Sequence, residues 1–556
     1  MTIYQVFTRL FGADSNTCSV NGTASQNGCG KMNDFTAKAL HDICSLGCTH
    51  VWYTGIIEHA TQTDYSKFGI RPDHPDVVKG RAGSPYAIKD YYDVDPDLAV
   101  NVNRRMREFE SLVKRTHEAG LGVIIDFVPN HVSRQYHSDA MPEGVRDLGQ
   151  DDDTGMSFST ANNFYYIPGE PLHLDHVVAG STYTEFPAKA TGNDVFNPWP
   201  ERNDWYETVK LNYGIDVQAG RRRCFTPVPD TWVKMLQILL FWSSKGIDGF
   251  RCDMAEMVPV EFWQWVIPQV KRAYPGILFI AEVYDPSRYR SYINEGHFDY
   301  LYDKVGLYDT LKAVVQGHAS AHAITHAWQA VDDIRSHMLC FLENHDEQRL
   351  ASDFFAADPS KGRAPLLASA LMYPNPMMVY FGQELGERGM DQEGFSGRDG
   401  RTTIFDYWTV DTIRRWRDGG RFSGRLLTDE ELSLREFYSK VLTLREGDPL
   451  FCEGEFFDLM YVCPSLRRQY AFARHHGDEL AVVLCNFSGE ETHVDVHMPQ
   501  HLFDTWGVGM VKDAPVVELL TGRQLRVNLD AHLPLSVTLP PYGGMVLKYV
   551  YPSILG

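Results

Sequence analysis

The sequence predicts an α/β fold: a (β/α)8 TIM barrel with an inserted domain after its third strand and a C-terminal antiparallel β-sandwich domain. Three observations predict it. From the N-terminus to about Asp448, short β-branched or aromatic runs alternate with amphipathic stretches, the pattern of a parallel sheet with crossover helices. The interval 131–213 is rich in Asp, Gly, Asn, Pro and aromatics and fits no single helix, as an inserted functional lobe does. Beyond Asp448 the texture changes to short strands separated by turns.

The elements follow in order. Strands are expected at 3–8, 50–54, 123–128, 249–252, 278–282, 298–303, 338–343 and 377–381, the count that a closed barrel requires. Asn33-Asp34 is expected to cap a helix carrying Phe35, Leu40, Ile43 and Leu46, with Gly47 stopping it. A second helix runs through Trp232, Met235, Leu239 and Trp242 toward Gly246, its long apolar face reading as barrel packing. Strands at 470–474, 479–487, 492–497, 516–520 and 536–539 make up the C-terminal domain. The division is therefore barrel at 1–130 and 214–448, inserted domain at 131–213, and β domain at 449–556. At 556 residues more than one core is expected.

Composition excludes partners more than it identifies them. A formal net charge of −21 repels phosphate backbones and anionic lipid, so neither nucleic acid nor a membrane surface is an expected partner, whereas a neutral sugar meets no such barrier. Aromatics reach 12%, most of them core rings, with stacking on sugar faces a use for the surplus. The 10 cysteines show no zinc spacing; Cys18 and Cys29 share one loop and could pair, but free thiols are expected. The first residues run directly into a strand with no signal-peptide pattern, and no apolar run could span a bilayer, so a cytoplasmic location is expected. Asp14-Ser-Asn16 is a fragment of a calcium-loop pattern without its later ligands and reads as a solvated turn.

Active sites of such barrels gather at the C-terminal ends of the strands. Strand three ends Asp126-Phe-Val-Pro-Asn130-His131, strand four Arg251-Cys-Asp253, strand five Ala-Glu282, and strand seven Glu343-Asn-His345-Asp346. A lone Asp at a strand end often caps the next helix. Four polar ends in register are better explained by a shared site.

These segments resemble the signature regions of the α-amylase family, glycoside hydrolase family 13, in the family's order. Upstream, Ser84-Pro-Tyr86-Ala-Ile-Lys-Asp90-Tyr-Tyr is similar to the family's tyrosine motif. The resemblance implies a retaining glycoside hydrolase acting on α-glucosidic bonds in starch, glycogen or maltodextrins, with no cofactor required. Retention needs two carboxyl groups close together, one a nucleophile and one an acid/base. The resemblance gives Asp253 the first role and Glu282 the second, with Glu282 raised by neighbouring charges. Asp346 becomes the carboxylate that binds sugar hydroxyls and stabilises the positive ring. Arg251 keeps Asp253 ionised, His131 and His345 bond the same sugar, Tyr86 stacks beneath it, and Asp126 orients Arg251.

Three positions depart from the family. Glu256 and Met257 stand where a Lys-His pair often follows the nucleophile, which opens the question of acceptor-side specificity. Ser84-Pro85 replaces a His-Gly pair. In Lys210-Leu-Asn212-Tyr, Lys210 takes the place of an Asp that often ligates a structural calcium ion beside Asn130. Two readings stand for Lys210: its ammonium replaces the calcium, or the register differs by a residue or two and Lys210 is solvated. Besides a hydrolase, two alternatives fit the sequence: a transglycosylase or isomerase of the same chemistry, and a non-catalytic carbohydrate-binding accessory protein, which the three retained carboxylates disfavour. Oligomeric state has no signature in the sequence.

Overall fold

The computed structural model describes residues 1–552. Eight parallel strands close into a barrel: β1 (Thr2–Phe7), β2 (His50–Thr54), β3 (Gly122–Phe127), β4 (Gly249–Cys252), β5 (Leu278–Ala281), β6 (Tyr300–Tyr302), β7 (Met338–Phe341) and β8 (Met377–Tyr380). Each lies where an apolar run predicts it. Closure comes from β1 pairing with both β2 and β8. Nearly every barrel-strand residue is buried, because side chains fill the lumen on one face and helices cover the other.

The helix expected after β1 spans Ala37–Ser45, and its cap differs from the one expected. Thr36 Oγ1 accepts from the Ala39 N–H at 3.2 Å, while Met32–Asp34 forms a 3-10 turn whose Asp34 carboxylate accepts from Lys31 N at 2.6 Å. Asn33-Asp34 therefore organises the turn before the helix, and the hydroxyl nearest the first turn takes the capping role. The helix Asp230–Ser243 buries Trp232 and Trp242, and the Trp242 indole donates to the Tyr91 carbonyl at 2.7 Å, so this face is barrel packing.

After β3 the chain leaves the barrel through His131–Ser133 and returns through Thr208–Lys210; the two segments pair antiparallel, with His131 opposite Lys210. That stem brings both ends of the inserted lobe to the mouth of the barrel. A hairpin of Ile57–His59 with Ile88–Val94, which the sequence reading does not anticipate, forms the rim beside it. The C-terminal unit is an antiparallel six-stranded sheet with a two-stranded pair, Thr492–Val496 and Leu535–Leu539, beside it. Three of its strands, Glu455–Asp458, Gln524–Leu529 and Gly544–Val550, were not among those expected. All ten cysteines, Cys18 and Cys29 included, are free thiols. Among the described residues no helix is long and apolar enough to cross a membrane.

Candidate active site

Barrel register assembles the centre of the site. Arg251 pairs with Asp126 across β4 and β3, so both side chains share one inward-facing level. Arg251 is fully buried and engages three carboxylates. Its NH1 lies 2.7 Å from Asp253 and 3.4 Å from Asp126, and its NH2 lies 2.9 Å from Glu282. Its Nε donates to the Tyr302 hydroxyl at 3.1 Å, and the rings of Trp52, Tyr86 and Tyr302 surround the guanidinium within 5.5 Å. Trp52 Nε1 donates to the second oxygen of Asp126 at 2.9 Å, which fixes that carboxylate behind the arginine. Arg251 makes all these contacts below the cavity floor, not on its wall.

Asp253 and Glu282 lie one step past the ends of adjacent strands. The N–H of Asp253 donates to the Phe127 carbonyl, and that of Glu282 to the Cys252 carbonyl. Met254, with a left-handed φ of 43°, turns its N–H onto Glu282 Oε2 at 2.7 Å. Tyr284 donates its hydroxyl to Glu282 Oε1 at 2.6 Å. A bulky residue held at positive φ between Asp253 and the Glu282 carboxylate is backbone strain placed where it positions that carboxylate. Burial raises the Asp253 carboxyl well above the ordinary range, against the pull of Arg251 and with the added push of the Glu282 charge.

Asp346 faces them from the end of β7. Its side chain is 40% exposed, against 8% for Asp253 and 4% for Glu282, so it is the carboxylate most open to the cavity. Asn344 Oδ1 accepts from the N–H groups of Asp346 and Glu347, both at 2.9 Å, which turns the loop and aims the carboxylate inward. Burial acts to raise Asp346, but His345 at 3.0 Å and the charges of Arg251 and Arg401 outweigh it and hold the group below the usual carboxylate range. His345 is itself locked: its Nδ1 lies 2.8 Å from Gln5 Nε2 and its Nε2 lies 2.6 Å from the Tyr86 hydroxyl.

The cavity above these groups has a volume of about 430 Å³, and Asp253, Glu282, Asp346, Tyr86 and His131 all line it. His345 and Arg251 stand behind that wall. His131 is neutral, pulled down to about 3 by burial and by the Lys210 charge. Ser84, at one of the departures, lines the cavity and accepts the Tyr86 N–H at 3.2 Å. A larger cleft of about 750 Å³ separates the helix Asp429–Gly447 from the C-terminal sheet, but it lies away from the carboxylates at the barrel mouth.

Several wall residues escaped the sequence reading. Tyr284 is two residues beyond Glu282, and Trp205 comes from the inserted lobe, its ring 5.3 Å from His131. Lys79 pairs with Glu207 at 2.9 Å across the rim. Ile404 and Phe405 arrive from a loop beyond β8. Only Tyr284 carried a local signal, its position beside a strand-end carboxylate. Glu256 does not point at the cavity: its Oε2 accepts from the N–H groups of Tyr284 and Asp285 at 3.2 and 3.1 Å and so pins the loop that carries Tyr284.

The calcium position resolves the two readings of Lys210 in physical terms. Lys210 is buried, donates to Asn130 Oδ1, and pairs with Asp194 at 2.7 Å. It is therefore not solvated. The oxygens that would ligate a divalent ion at this place are turned onto an ammonium that would repel one, so these residues do not fit calcium. Elsewhere, ligand atoms of Glu58, Asp90 and Asp93 lie within 4.8 Å of one another. Both Asp90 oxygens already accept from Ser138, Asp139, Ala140 and Tyr92, and burial, with the Asp90 and Asp93 charges, pushes Glu58 up to about 9. Asp14 and Asn16 are exposed, as a solvated turn requires.

A closed eight-stranded barrel with carboxylates at the ends of β4, β5 and β7, roofed by a lobe inserted after β3, defines a class of barrel glycosidases. The α-amylase catalytic-domain family model matches residues 5–419, and the chain belongs to the α-amylase family. It is 24% identical over 568 residues to an α-amylase of Streptomyces lividans, covering 93% of this chain and 56% of that protein. It is 22% identical to neopullulanase 2 of Thermoactinomyces vulgaris, covering 83% and 65%. The chain thus spans between about half and two thirds of the length of these curated relatives. In fold it matches the α-amylase of Geobacillus thermoleovorans solved with acarbose, at a TM-score of 0.62 and 19% identity over 98% of this chain and 97% of that one.

Proposed function

We propose that the protein is a retaining α-glucan hydrolase acting on starch, glycogen or maltodextrins. The observation that carries this reading is the sharing of one guanidinium: Arg251 holds Asp253 on NH1 and Glu282 on NH2. Two carboxyl groups bridged in this way stand close, as a retaining pair must, whereas an inverting pair is spread apart to admit a water. Glu282 gives its proton to the glycosidic oxygen as Asp253 attacks the anomeric carbon, and the bond to the leaving sugar breaks. A water then attacks the glycosyl-enzyme, returns a proton to Glu282 and frees Asp253. Asp346, ionised and open to the cavity, binds ring hydroxyls and stabilises the cationic transition state. Tyr86 offers its face to the sugar and neutral His131 a hydrogen bond. The chemistry uses side chains alone and calls for no cofactor.

The relatives' names, an α-amylase and a neopullulanase, and the acarbose-bound structural neighbour support an α-glucan substrate. A second reading, transfer to a sugar acceptor, is favoured by the apolar and aromatic wall of Met254 and Tyr284 beside Glu282. Maltoheptaose digestion separates the two: only shorter products mean hydrolysis, and products longer than the substrate mean transfer. Asp253→Asn should lose activity by roughly 10⁴-fold or more. Undiminished turnover by that variant would overturn the nucleophile assignment.

A further inference from the structure

We propose that Trp199, outside the catalytic cavity, is a second binding platform for an α-glucan chain, one that holds the polymer against the inserted lobe. The ligand class rests on the functional reading above; the platform itself rests on separate observations. The chain has 11 tryptophans, and among the described residues Trp199, at 55% exposure, is the most open of them. An exposed indole alone is unremarkable. This one is held rigid. The His173 imidazole stacks on one face at 3.7 Å between centroids and 9° between planes. Three hydrogen bonds fasten the surrounding backbone: the Trp199 N–H donates to Asn197 Oδ1 at 2.8 Å, the His173 N–H to the Pro198 carbonyl at 2.9 Å, and His176 Nε2 to the Pro200 carbonyl at 3.0 Å.

Trp199 is therefore more than half exposed while His173 covers one indole face and the His176 ring lies tilted beside it at 5.9 Å. A flat, rigid apolar face edged by imidazole and amide groups matches a pyranose, whose axial C–H groups pack on the ring while its hydroxyls meet donors and acceptors around it. Preorganisation removes the ordering cost that a mobile side chain would incur on binding. The same inserted lobe places Trp205, six residues further along the chain, on the cavity wall. The charge of −21 disfavours polyanionic occupants and leaves a neutral polysaccharide unaffected.

Native affinity electrophoresis in gels containing amylopectin tests this, with Asp253→Asn as the background so that the polymer stays intact. Adding Trp199→Ala should weaken retardation by about tenfold in apparent affinity. Trp199→Tyr, which keeps an aromatic face, should restore most of it, and His173→Ala should fall between. In the catalytically intact protein, Trp199→Ala should leave kcat/KM on maltotriose unchanged, because Trp199 does not line the catalytic cavity. Equal retardation of Trp199→Ala and its parent, or no retardation of the parent, overturns the platform. Failure of the wild-type protein to cleave maltoheptaose overturns the functional reading instead.

Discussion

Lys210→Met should destabilise the protein, and Lys210→Asp should convert it into one that responds to calcium. The Lys210 ammonium sits between Asn130 Oδ1 and Asp194, whose carboxylate is 2.7 Å away and 25% exposed. Removing one partner of a buried pair costs about 3–5 kcal/mol. Partial exposure of Asp194 and its second contact, with Arg221 at 3.2 Å, lower that to about 2–3 kcal/mol. The loss falls on the stem where His131 pairs with Lys210, so activity should drop along with stability. In Lys210→Asp, oxygens from Asn130, Asp194 and the new carboxylate face one another without the ammonium, an arrangement that a divalent ion satisfies. Thermal unfolding with millimolar calcium or a chelator checks both. The wild-type midpoint should be indifferent to either, and that of Lys210→Asp should rise with calcium. Stoichiometric calcium in the wild-type protein, or a midpoint lowered by chelator, would refute the reasoning.

Two further substitutions probe buried charge. Glu58 retains a proton in the folded state that the unfolded chain gives up near its ordinary value of 4.5, so stability should fall as pH rises from there toward about 9, by about 1.4 kcal/mol per unit. Glu58→Gln removes that slope, and urea unfolding between pH 5.5 and 8.5 should show its curve flatter than the wild type's; parallel curves would count against it. Arg251→Lys offers a single ammonium where the guanidinium makes contacts through NH1, NH2 and Nε, so one buried carboxylate loses its partner. Both the unfolding midpoint and kcat/KM should fall, the stability loss being about 3 kcal/mol or more, and a near-native pair of values would show that the shared fork is dispensable.

The barrel was legible because its strands are buried on both faces and therefore appear as continuous apolar runs. The C-terminal domain was harder to read. Gln524–Leu529 buries only Val527 and Leu529, and its polar, more exposed first half obscures the strand. The hairpin of Ile57–His59 with Ile88–Val94 was missed because buried acids, Glu58, Asp90 and Asp93, occupy it and break the hydrophobic pattern. At the site, groups on strand ends could be found because the barrel fixes where those ends point. Trp205, Lys79 and Phe405 come from irregular loops, where no period relates sequence position to direction. Glu256 shows a different limit. Its place in the chain pointed to the acceptor side, and only the hydrogen bonds to Tyr284 and Asp285 reveal that it is spent on the loop.

Charge at the centre could not be read residue by residue at all. The sequence pairs Arg251 with Asp253, two residues away, and that suggests an ionised nucleophile with its own counter-ion. The structure divides the same guanidinium among Asp253, Glu282 and Asp126, all buried. Three carboxylates fully ionised on one cation would leave two uncompensated negative charges in a site closed to water on that side, and burial penalises each of them. Burial raises both Asp253 and Asp126, and the Arg251 charge opposes it in each. Arg251 therefore does more than steady Asp253. By being shared, it gives three buried carboxylates a single counter-charge, too little to cancel the burial that raises Asp253 and Asp126.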